Sequence, residues 1–222
     1  MLINGLKALE YRGYDSAGIA VLNQQGFDIC KELGKVSVLE CRVQQAPPKG
    51  YCGIGHTRWA THGKPSEQNA HPHTSHGSIA VVHNGIIENH SLLREKLLAN
   101  HYDFHSDTDT EIIAHLIHWQ MSKGESFAQA CLSAISQLEG AYALAITCAS
   151  EPGRIIATRK GSPLIIGEGS GEYFVASDIP AILAEVEQYY YLEEGDVADL
   201  TADSCKIFDE QGRVVERVVN YV

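Results

Sequence analysis

The chain has 222 residues and a formal net charge of −11, since 28 Asp and Glu outnumber 17 Lys and Arg. A hydrophobic fraction of 44% and a charged fraction of 20% are typical of a folded globular protein, which excludes a disordered, collagen-like or coiled-coil chain. The acidic charge and the absence of any Lys/Arg run exclude nucleic acid and anionic membrane surfaces as expected partners.

Six cysteines are scattered singly along the chain without any CxxC pair: Cys30, Cys41, Cys52, Cys131, Cys148 and Cys205. A chain of this length can bury a core without disulfides, so we expect reduced thiols and a cytoplasmic protein. No apolar stretch is long enough to span a bilayer, and the N-terminus lacks the basic and apolar regions of a signal peptide.

The first part of the chain is predicted to alternate between helices and strands. Periodicity indicates helices over residues 3–10 and 36–44, and strands over 17–22, 26–32, 52–56 and 78–83. Residues 57–77 are rich in Gly, Pro, Ser, Asn and His, and a polar segment of that length in a compact domain is usually functional. Asn84-Gly85 is a strong turn dipeptide and is predicted to end the last of these strands.

The rest of the chain is predicted to be a helical block followed by short strands. Helices are expected over 89–99, over 108–121 and from Ser126 onward, the last two opening with the capping boxes Thr108-x-x-Glu111 and Ser126-x-x-Gln129. Beyond Gly140 the pattern indicates a short helix over 179–186 and strands over 141–148, 154–159, 164–166, 173–176, 189–192, 197–200 and 206–208. Strands on both sides of a helical block predict one domain of stacked sheets covered by helices.

All 11 histidines lie between His56 and His118, which raises the hypothesis of a metal site. The candidate ligands are His56, His62, His71, His73 and His76, together with the helical pair His115 and His118. Zinc sites use three or four ligands at recurring spacings such as HExxH, and none of these histidines shows that spacing. Structural or solvent-facing histidines are the preferred interpretation, and we expect no metal and no other cofactor.

A second group of residues has the polar chemistry that binds an α-amino acid. Arg58, Thr61 and His62 stand together in HTRWATHG, and an Arg fork suits a carboxylate. Asp109, at a predicted helix start, offers a carboxylate to an ammonium group. Asn84-Gly85 could aim an amide and a backbone N–H at one point, as an oxyanion hole does. Taken singly, each also fits a structural role as a surface charge, a helix start or a turn.

Several longer segments have a distinctive amino-acid sequence. They are LEYRGYDSAGIAV (9–21), GIGHTRWATHGKPSEQNAHPH (53–73), VVHNGIIENH (81–90) and SDTDTEIIAHL (106–116), followed by RKGSPLIIG (159–167), VASD (175–178) and YLEEGD (191–196). Together they resemble the glutaminase domain of the glucosamine-6-phosphate synthases, which are the isomerising glutamine–fructose-6-phosphate aminotransferases. The resemblance covers nearly the whole chain, in the order and spacing of the family.

That resemblance implies a class II glutamine amidotransferase with an α+β fold. The architecture would be a four-layer α/β/β/α sandwich of the N-terminal-nucleophile hydrolase type, lacking its first strand. Residues 1–222 would form this one domain, truncated at its N-terminus and without the isomerase domain. In the family the domain hydrolyses L-glutamine, and the ammonia reaches a C-terminal sugar isomerase domain that converts fructose 6-phosphate to glucosamine 6-phosphate.

The resemblance also assigns roles by position. The α-carboxylate end of glutamine would be held by Arg58, Thr61 and His62. Asp109, with Gly85, would hold the α-ammonium, and Asn84 with the Gly85 N–H would form the oxyanion hole. Trp59 resembles the family's gate to the ammonia channel, and Arg12 resembles an arginine that lies near the nucleophile.

The family's nucleophile has no counterpart in these segments. It is an N-terminal cysteine in a Cys-Gly-Ile-Val-Gly-type strand, and its own α-amine, with a pKa of roughly 7.7–8.0, accepts the thiol proton. Cys52-Gly53-Ile54 looks similar, but the Cys52 nitrogen is an amide, so we expect a core role for it. Loss of a nucleophile costs about 10⁶ in turnover. We therefore expect this chain to be inactive, with a free sheet edge or a cleft beside the site.

Two functions of other classes stay open. One is a non-catalytic glutamine-binding or regulatory module, which would keep the binding residues without a nucleophile. The other is a His-rich metallohydrolase. The expected partners are L-glutamine and, in a full-length enzyme, the sugar isomerase domain with its fructose 6-phosphate. A monomer and a homodimer both remain open as assemblies.

Overall fold

Five α-helices and fourteen β-strands make up the structure, a computed structural model that describes residues 1–222. The helices are α1 Leu2–Ala8, α2 Val36–Gln45, α3 His90–Leu98, α4 Thr110–Ser122 and α5 Phe127–Ile135. Two 3-10 turns cover Glu10–Arg12 and Ile179–Ala181. None of the helices has the length and apolar character needed to cross a membrane.

The strands form three antiparallel sheets. The first sheet consists of β1 Ser16–Asn23, β2 Gly26–Leu33 and β3 Cys52–Arg58, in the order β2-β1-β3. The large sheet consists of β4 His73–Ser75, β5 Ile79–Ile87, β6 Gly140–Cys148, β7 Ile155–Lys160, β11 Val197–Leu200, β12 Cys205–Phe208 and β13 Val214–Val215, in the order β13-β12-β11-β7-β6-β5-β4. The second sheet consists of β8 Ile165–Gly169, β9 Glu172–Ala176, β10 Gln188–Tyr191 and β14 Asn220–Tyr221, in the order β14-β10-β8-β9.

The first sheet is covered on both faces, because β1 alternates its apolar side chains between them. The cluster on the helical side consists of Leu6, Ala17, Ile19, Val21, Val36 and Leu39. The cluster on the other side, shared with the large sheet, consists of Ala20, Ile54, Ala80, Val82 and Ala145. Helices α1 and α2 therefore form one outer layer of the molecule.

The large sheet carries the main core of the molecule. A cluster of 22 buried residues joins it to α3, α4 and α5, and includes Ile112, Ile113, Leu116, Ile117 and Phe127. Burial of one such side chain is worth about 1.5–3 kcal/mol. The other face of the large sheet contacts the second sheet through a cluster that includes Ala143, Ala157, Leu164 and Ile166. The layers thus follow the order α/β/β/α, which confirms the four-layer α+β sandwich.

A cleft of about 1170 Å³ lies between the free edges of β3 and β9. Strand β3 pairs only with β1, and β9 pairs only with β8. Both strands line the cleft along their whole length, residues 52–58 and 172–176. An edge strand presents a row of unpaired N–H and C=O groups. The free edge and the cleft expected from the sequence are therefore both present.

Two local predictions from the sequence are wrong. Asn84-Gly85 does not end a strand but lies within β5, because β6 pairs with β5 along its full length. The segment 179–186 contains only the 3-10 turn Ile179–Ala181. The short strands β4, β13 and β14 were not predicted, since two or three residues carry too little periodicity to be recognised.

The two predicted capping boxes have different outcomes. At α5, Ser126 and Gln129 form the complete reciprocal box, which confirms that prediction. At α4 the N-cap residue is Asp109, and its side chain makes no cap bond. The Glu111 carboxylate instead accepts bonds from the backbone N–H groups of His105 and Ser106, at 2.9 and 2.7 Å. The box predicted at the start of this helix is therefore wrong.

Candidate active site

The side chains that the sequence predicts for a glutamine site all line the cleft between β3 and β9. They are Arg58, Trp59, Thr61, His62, Asn84, Gly85 and Asp109. The first four come from the end of β3 and the loop that follows it. Strand β5 supplies the Asn-Gly pair, and the residue before α4 supplies the aspartate. Three segments that are well separated in sequence thus meet at one cavity.

Arg58 is only 3% exposed, and its guanidinium is engaged within the protein. Nη2 donates to the carbonyl oxygens of His62 and Gly63, the latter at 3.0 Å. Nη1 lies 3.4 Å from Asp15 Oδ1, and the other Asp15 oxygen accepts the N–H of Ala60. In this arrangement Arg58 fixes the loop after β3. A direct bond from Arg58 to a substrate carboxylate stays a prediction.

The Asn84 amide is oriented by a histidine that the sequence did not assign to the site. His56 Nε2 lies 2.7 Å from Asn84 Oδ1. Burial lowers the pKa of His56 to about 4, so the ring is neutral at pH 7 and Nε2–H can donate to that oxygen. The Asn84 Nδ2 donors then remain for a ligand in the cleft. Position 56 lies within GHTR, beside Arg58, and that proximity is the only signal that the sequence offers.

Gly85 lies against the backbone of β6, paired with Tyr142. Its φ is +122°, and a Cβ at this position would lie 2.0 Å from the carbonyl oxygen of Ala141. An L side chain therefore fits neither the backbone conformation nor the space. The residue type at position 85 is dictated by the fold, whatever it does for a ligand.

Asp109 is buried, and its carboxylate faces both the backbone and two imidazole rings. Oδ2 accepts the Ile87 N–H at 2.8 Å and lies 3.9 Å from His62 Nδ1. Oδ1 lies 4.0 Å from His83 Nδ1. Burial lowers the pKa of His83 to about 4, so that ring is no cationic partner at pH 7. The carboxylate can therefore accept an ammonium group from a ligand.

Two of the clustered histidines, His71 and His73, lie against the start of α4. His71 Nε2 lies 3.3 Å from Thr110 Oγ1, and His73 Nε2 lies 3.1 Å from Thr108 Oγ1. His71 also stacks on His56, with ring centroids 4.3 Å apart. These rings therefore tie the strands to the start of α4, next to Asp109. No group of three His, Cys, Asp or Glu side chains is placed to hold a metal ion.

Arg12 and Trp59 both line the cleft near the 3-10 turn of residues 10–12. Arg12 Nη2 lies 2.7 Å from Asp178 Oδ2, and Arg12 Nη1 donates to Ser177 Oγ at 2.9 Å. This partly exposed ion pair joins the 3-10 turn after α1 to the segment that follows β9. Trp59 is 68% exposed, and its ring lies over Gly13, where a Cβ would come within 2.5 Å of it. Neither residue contacts Asp109 or Asn84.

Cys52 lines the cleft but lies at the opposite end of β3 from Arg58. Seven strand residues at about 3.3 Å each place the two roughly 20 Å apart. The Cys52 Sγ is 3.9 Å from Thr147 Oγ1, and burial raises the pKa of the thiol. Distance and protonation both argue against Cys52 as a nucleophile for a substrate held at Asn84 and Asp109.

The four-layer sandwich and the polar groups along the cleft fit a glutamine amidotransferase. Residues 56–184 match the family model for the glutamine amidotransferase domain, and the chain belongs to that family. The isomerising glutamine–fructose-6-phosphate aminotransferases of Photorhabdus laumondii and Escherichia coli are 53% and 52% identical to it over 218 residues. The match includes 98% of this chain but only 36% of each relative, so the chain spans about a third of their length.

Solved structures agree with this assignment. Glutamine phosphoribosylpyrophosphate amidotransferase from Bacillus subtilis superposes with a TM-score of 0.79 at 26% identity, over 96% of this chain and 46% of that one. A glutamine aminotransferase class-II domain protein from Silicibacter pomeroyi has a TM-score of 0.60 at 16% identity, over 88% of this chain and 91% of that one, and supports the fold alone. The N-terminal-nucleophile amidotransferase fold expected from the resemblance is confirmed.

Proposed function

We propose that the cleft binds L-glutamine and supplies the substrate-binding and oxyanion groups of a glutaminase. The main support for this proposal is that Asp109 and Asn84 line one cavity. Asp109 is held by the Ile87 N–H, and Asn84 is held by His56. Asp109, bonded to the Ile87 N–H, takes the α-ammonium. The Asn84 amide, oriented by His56, donates to the oxygen of the side-chain amide as that oxygen becomes negative.

The α-carboxylate end of glutamine is assigned to the loop of residues 58–63. Thr61 and His62 face the cleft, and Arg58 holds the loop by its bonds to the His62 and Gly63 carbonyls. Gly85 assists on the ammonium side and provides a second oxyanion donor through its N–H. Trp59, on the same loop and largely exposed, closes over bound glutamine.

The nucleophile of this reaction belongs to an additional extended strand that occupies the cleft. Such a strand would pair with β3 on one side and with β9 on the other. It would join the first and second sheets into one, with the order β2-β1-β3-added strand-β9-β8-β10-β14. It satisfies two rows of backbone groups and fills apolar space. An N-terminal cysteine on that strand supplies both the thiolate and, through its α-amine, the base. The 222 residues alone therefore bind glutamine without hydrolysing it.

A complementation assay tests this directly. The 222-residue protein is incubated with L-glutamine and glutamate release is measured, with and without a synthetic peptide that begins Cys-Gly-Ile-Val-Gly. We expect no turnover alone and measurable turnover with the peptide. Two matched peptides serve as controls, one with an acetylated α-amine and one with Ala in place of the cysteine. Turnover by the protein alone within tenfold of an intact homologous domain would refute the inactivity.

The second candidate is a glutamine-binding or regulatory module without catalysis. It is favoured by the position of Cys52, the one cysteine lining the cleft, at the opposite end of β3 from Arg58. The same experiment distinguishes the two functions: a regulatory module binds glutamine in calorimetry but gains no turnover from the free cysteine peptide.

For the whole protein, the names of the relatives point to a larger reaction. We assign to it the isomerising aminotransferase activity printed in those names, in which ammonia from glutamine reaches a C-terminal sugar isomerase domain that binds fructose 6-phosphate. A cytoplasmic location accords with six free cysteines. Incorporation of ¹⁵N from amide-labelled glutamine into glucosamine 6-phosphate by the full-length protein tests the activity, and fractionation tests the location.

A further inference from the structure

A second cavity, of about 530 Å³, is lined by the segment that follows the glutamine loop. Its walls are entirely polar: Lys31, Glu67, Gln68, His73, Thr74, His105, Ser106 and Glu111. They come from β2, the loop before β4, β4 itself, the segment that leads into α4 and the first turn of α4. Apart from His73, which contacts Thr108 at the start of α4, none of these residues was described with the glutamine site, and none is assigned to glutamine.

Lys31 is the one lysine or arginine in this cavity, and it has no counter-ion. No carboxylate lies within 4.0 Å of its Nζ, and no hydrogen bond engages it. Burial lowers the pKa of Lys31 to about 8, and the more distant Glu111 and Glu67 only partly offset this. A desolvated cation without a partner is unfavourable, and a bound anion would relieve it.

The two carboxylates of the cavity already have donors of their own. Glu111 accepts bonds from the Ser106 N–H and Oγ at 2.7 and 2.6 Å, and from the His105 N–H at 2.9 Å. Burial opposes its ionisation, but these bonds and that of His115 outweigh burial and lower the pKa of Glu111 to about 2. Glu67 lies 3.4 Å from Arg42 Nη1. The carboxylates therefore do not compete strongly for Lys31.

Neutral donors complete the lining. The Thr74 hydroxyl and the Gln68 amide make no hydrogen bond within the protein, and both residues line the cavity together with Lys31. His73 is neutral, because burial lowers its pKa to about 3. We propose that this cavity is a binding site for a small oxyanion, a phosphate or carboxylate group that pairs with Lys31 and accepts bonds from Thr74 and Gln68.

Such a ligand would also restrain the connection between β3 and β4, which includes the loop of the glutamine site. Glu67 and Gln68 lie on the same connection between β3 and β4 as Thr61 and His62. Asn69 fixes the end of this connection, since its Nδ2 donates to the Lys64 carbonyl at 2.9 Å and its Oδ1 accepts the Asp107 N–H at 2.9 Å. An anion bridging Lys31 to Gln68 therefore restrains the connection from the side opposite its tether to Arg58.

The test is an NMR titration of the 222-residue protein with inorganic phosphate and, separately, with acetate. We expect a saturable shift of the Lys31 side-chain resonances and a rise of the Lys31 pKa in the bound state. Lys31→Met, which keeps the apolar stem, should weaken binding about tenfold or more. Lys35→Met, at an exposed lysine nearby, should leave binding unchanged, and so should Asp109→Asn in the glutamine site.

Comparing the two anions distinguishes a site for phosphoryl groups from a site for any small oxyanion. Saturation by phosphate alone identifies a phosphoryl group, and saturation by both identifies any oxyanion of this size. The proposal is overturned if Lys31 shows no saturable shift with either anion, or if Lys31→Met binds them as tightly as the unaltered protein. Because the readout is binding at Lys31, a failed glutaminase assay does not bear on it.

Discussion

Asp109 is the side chain whose charge matters most for the proposed substrate. Its replacement by Asn keeps an oxygen to accept the Ile87 N–H, so the backbone bond at 2.8 Å can persist. What is lost is a charge-assisted bond to the α-ammonium, worth about 1.5–3 kcal/mol. Asp109→Asn should therefore weaken glutamine binding about tenfold to a hundredfold in isothermal titration calorimetry.

The matched control for that substitution is Asp103→Asn. Asp103 is exposed, its side chain makes no hydrogen bond, and it lies six residues before Asp109 on the same connecting segment. It should leave glutamine affinity unchanged. Equal affinity of the Asp109→Asn protein and the unaltered protein would show that the ammonium is bound elsewhere.

His56 acts on Asn84 and not on the substrate, so its role can be separated from binding. His56→Ala removes the donor at 2.7 Å that orients the Asn84 amide. Loss of an oxyanion donor costs about 10²–10³ in kcat, and loss of orientation alone should cost less, about tenfold. In the peptide-complemented enzyme we expect kcat to fall with KM unchanged.

A conservative variant tests whether this effect is positional. His56→Gln restores an N–H donor near Asn84 Oδ1, so kcat should recover in part. A rise in KM together with a fall in kcat, and no recovery by Gln, would indicate that His56 only supports the fold.

At the level of single elements, strand β5 depends on Gly85. Gly85→Ala would place a Cβ 2.0 Å from the Ala141 carbonyl oxygen, at a φ of +122°. Backbone strain alone costs about 1–3 kcal/mol, and the collision with β6 adds to it. We expect the free energy of unfolding in urea to fall by more than about 3 kcal/mol.

Gly124→Ala is the control for that measurement. Gly124 also has a positive φ, +100°, but a Cβ there meets nothing within 4 Å. Its substitution should cost only the strain term. If both glycines cost the same, the close approach of β5 to β6 does not contribute to the requirement for glycine.

The elements themselves were largely predictable from the sequence, and the reason is visible in α4 and β6. Both carry long, mostly apolar runs and are buried on more than one side, so the length and composition of each run identify it. The end of β5 was not predictable, because Asn-Gly favours a turn locally and only the pairing with β6 overrides that preference. The same holds at the start of α4, where Glu111 takes backbone donors from a segment that the capping pattern does not include.

The site was predictable in its composition but not in its contacts. Sequence motifs brought Arg58, Asn84 and Asp109 into one group, and the structure places all three on the cleft. That Arg58 braces its own loop depends on where His62 and Gly63 return in space. No spacing rule encodes such a contact.

At the scale of the whole molecule, the buried histidines make the fold sensitive to acid. Burial lowers the pKa of His56 and His83 to about 4 and of His73 to about 3, and lowers that of His71 well below its ordinary value. In the unfolded chain each has a pKa of about 6.5. Between these values the unfolded state binds more protons than the folded state, so stability falls as the pH falls.

We expect the free energy of unfolding to be constant above about pH 7 and to decline steadily from there toward pH 5. Each proton taken up only on unfolding contributes up to about 1.4 kcal/mol per pH unit. The Glu111 carboxylate, whose pKa is lowered to about 2, acts in a separate window below pH 4.5, where its protonation costs further stability. Urea unfolding at pH 5, 6, 7 and 8 measures the slope assigned to the histidines.

Variants then assign that slope to particular rings. His83→Gln removes a fully buried imidazole and should reduce the slope between pH 5 and 6.5, whatever it does to stability at pH 7. His105→Gln, at a side chain that is 81% exposed, should leave the slope unchanged. A stability curve that stays level from pH 7 to pH 5 would mean that the rings take up protons in the folded state. The paired roles of His56 with Asn84 and of His71 with Thr110 would then need a charged imidazole, contrary to their burial.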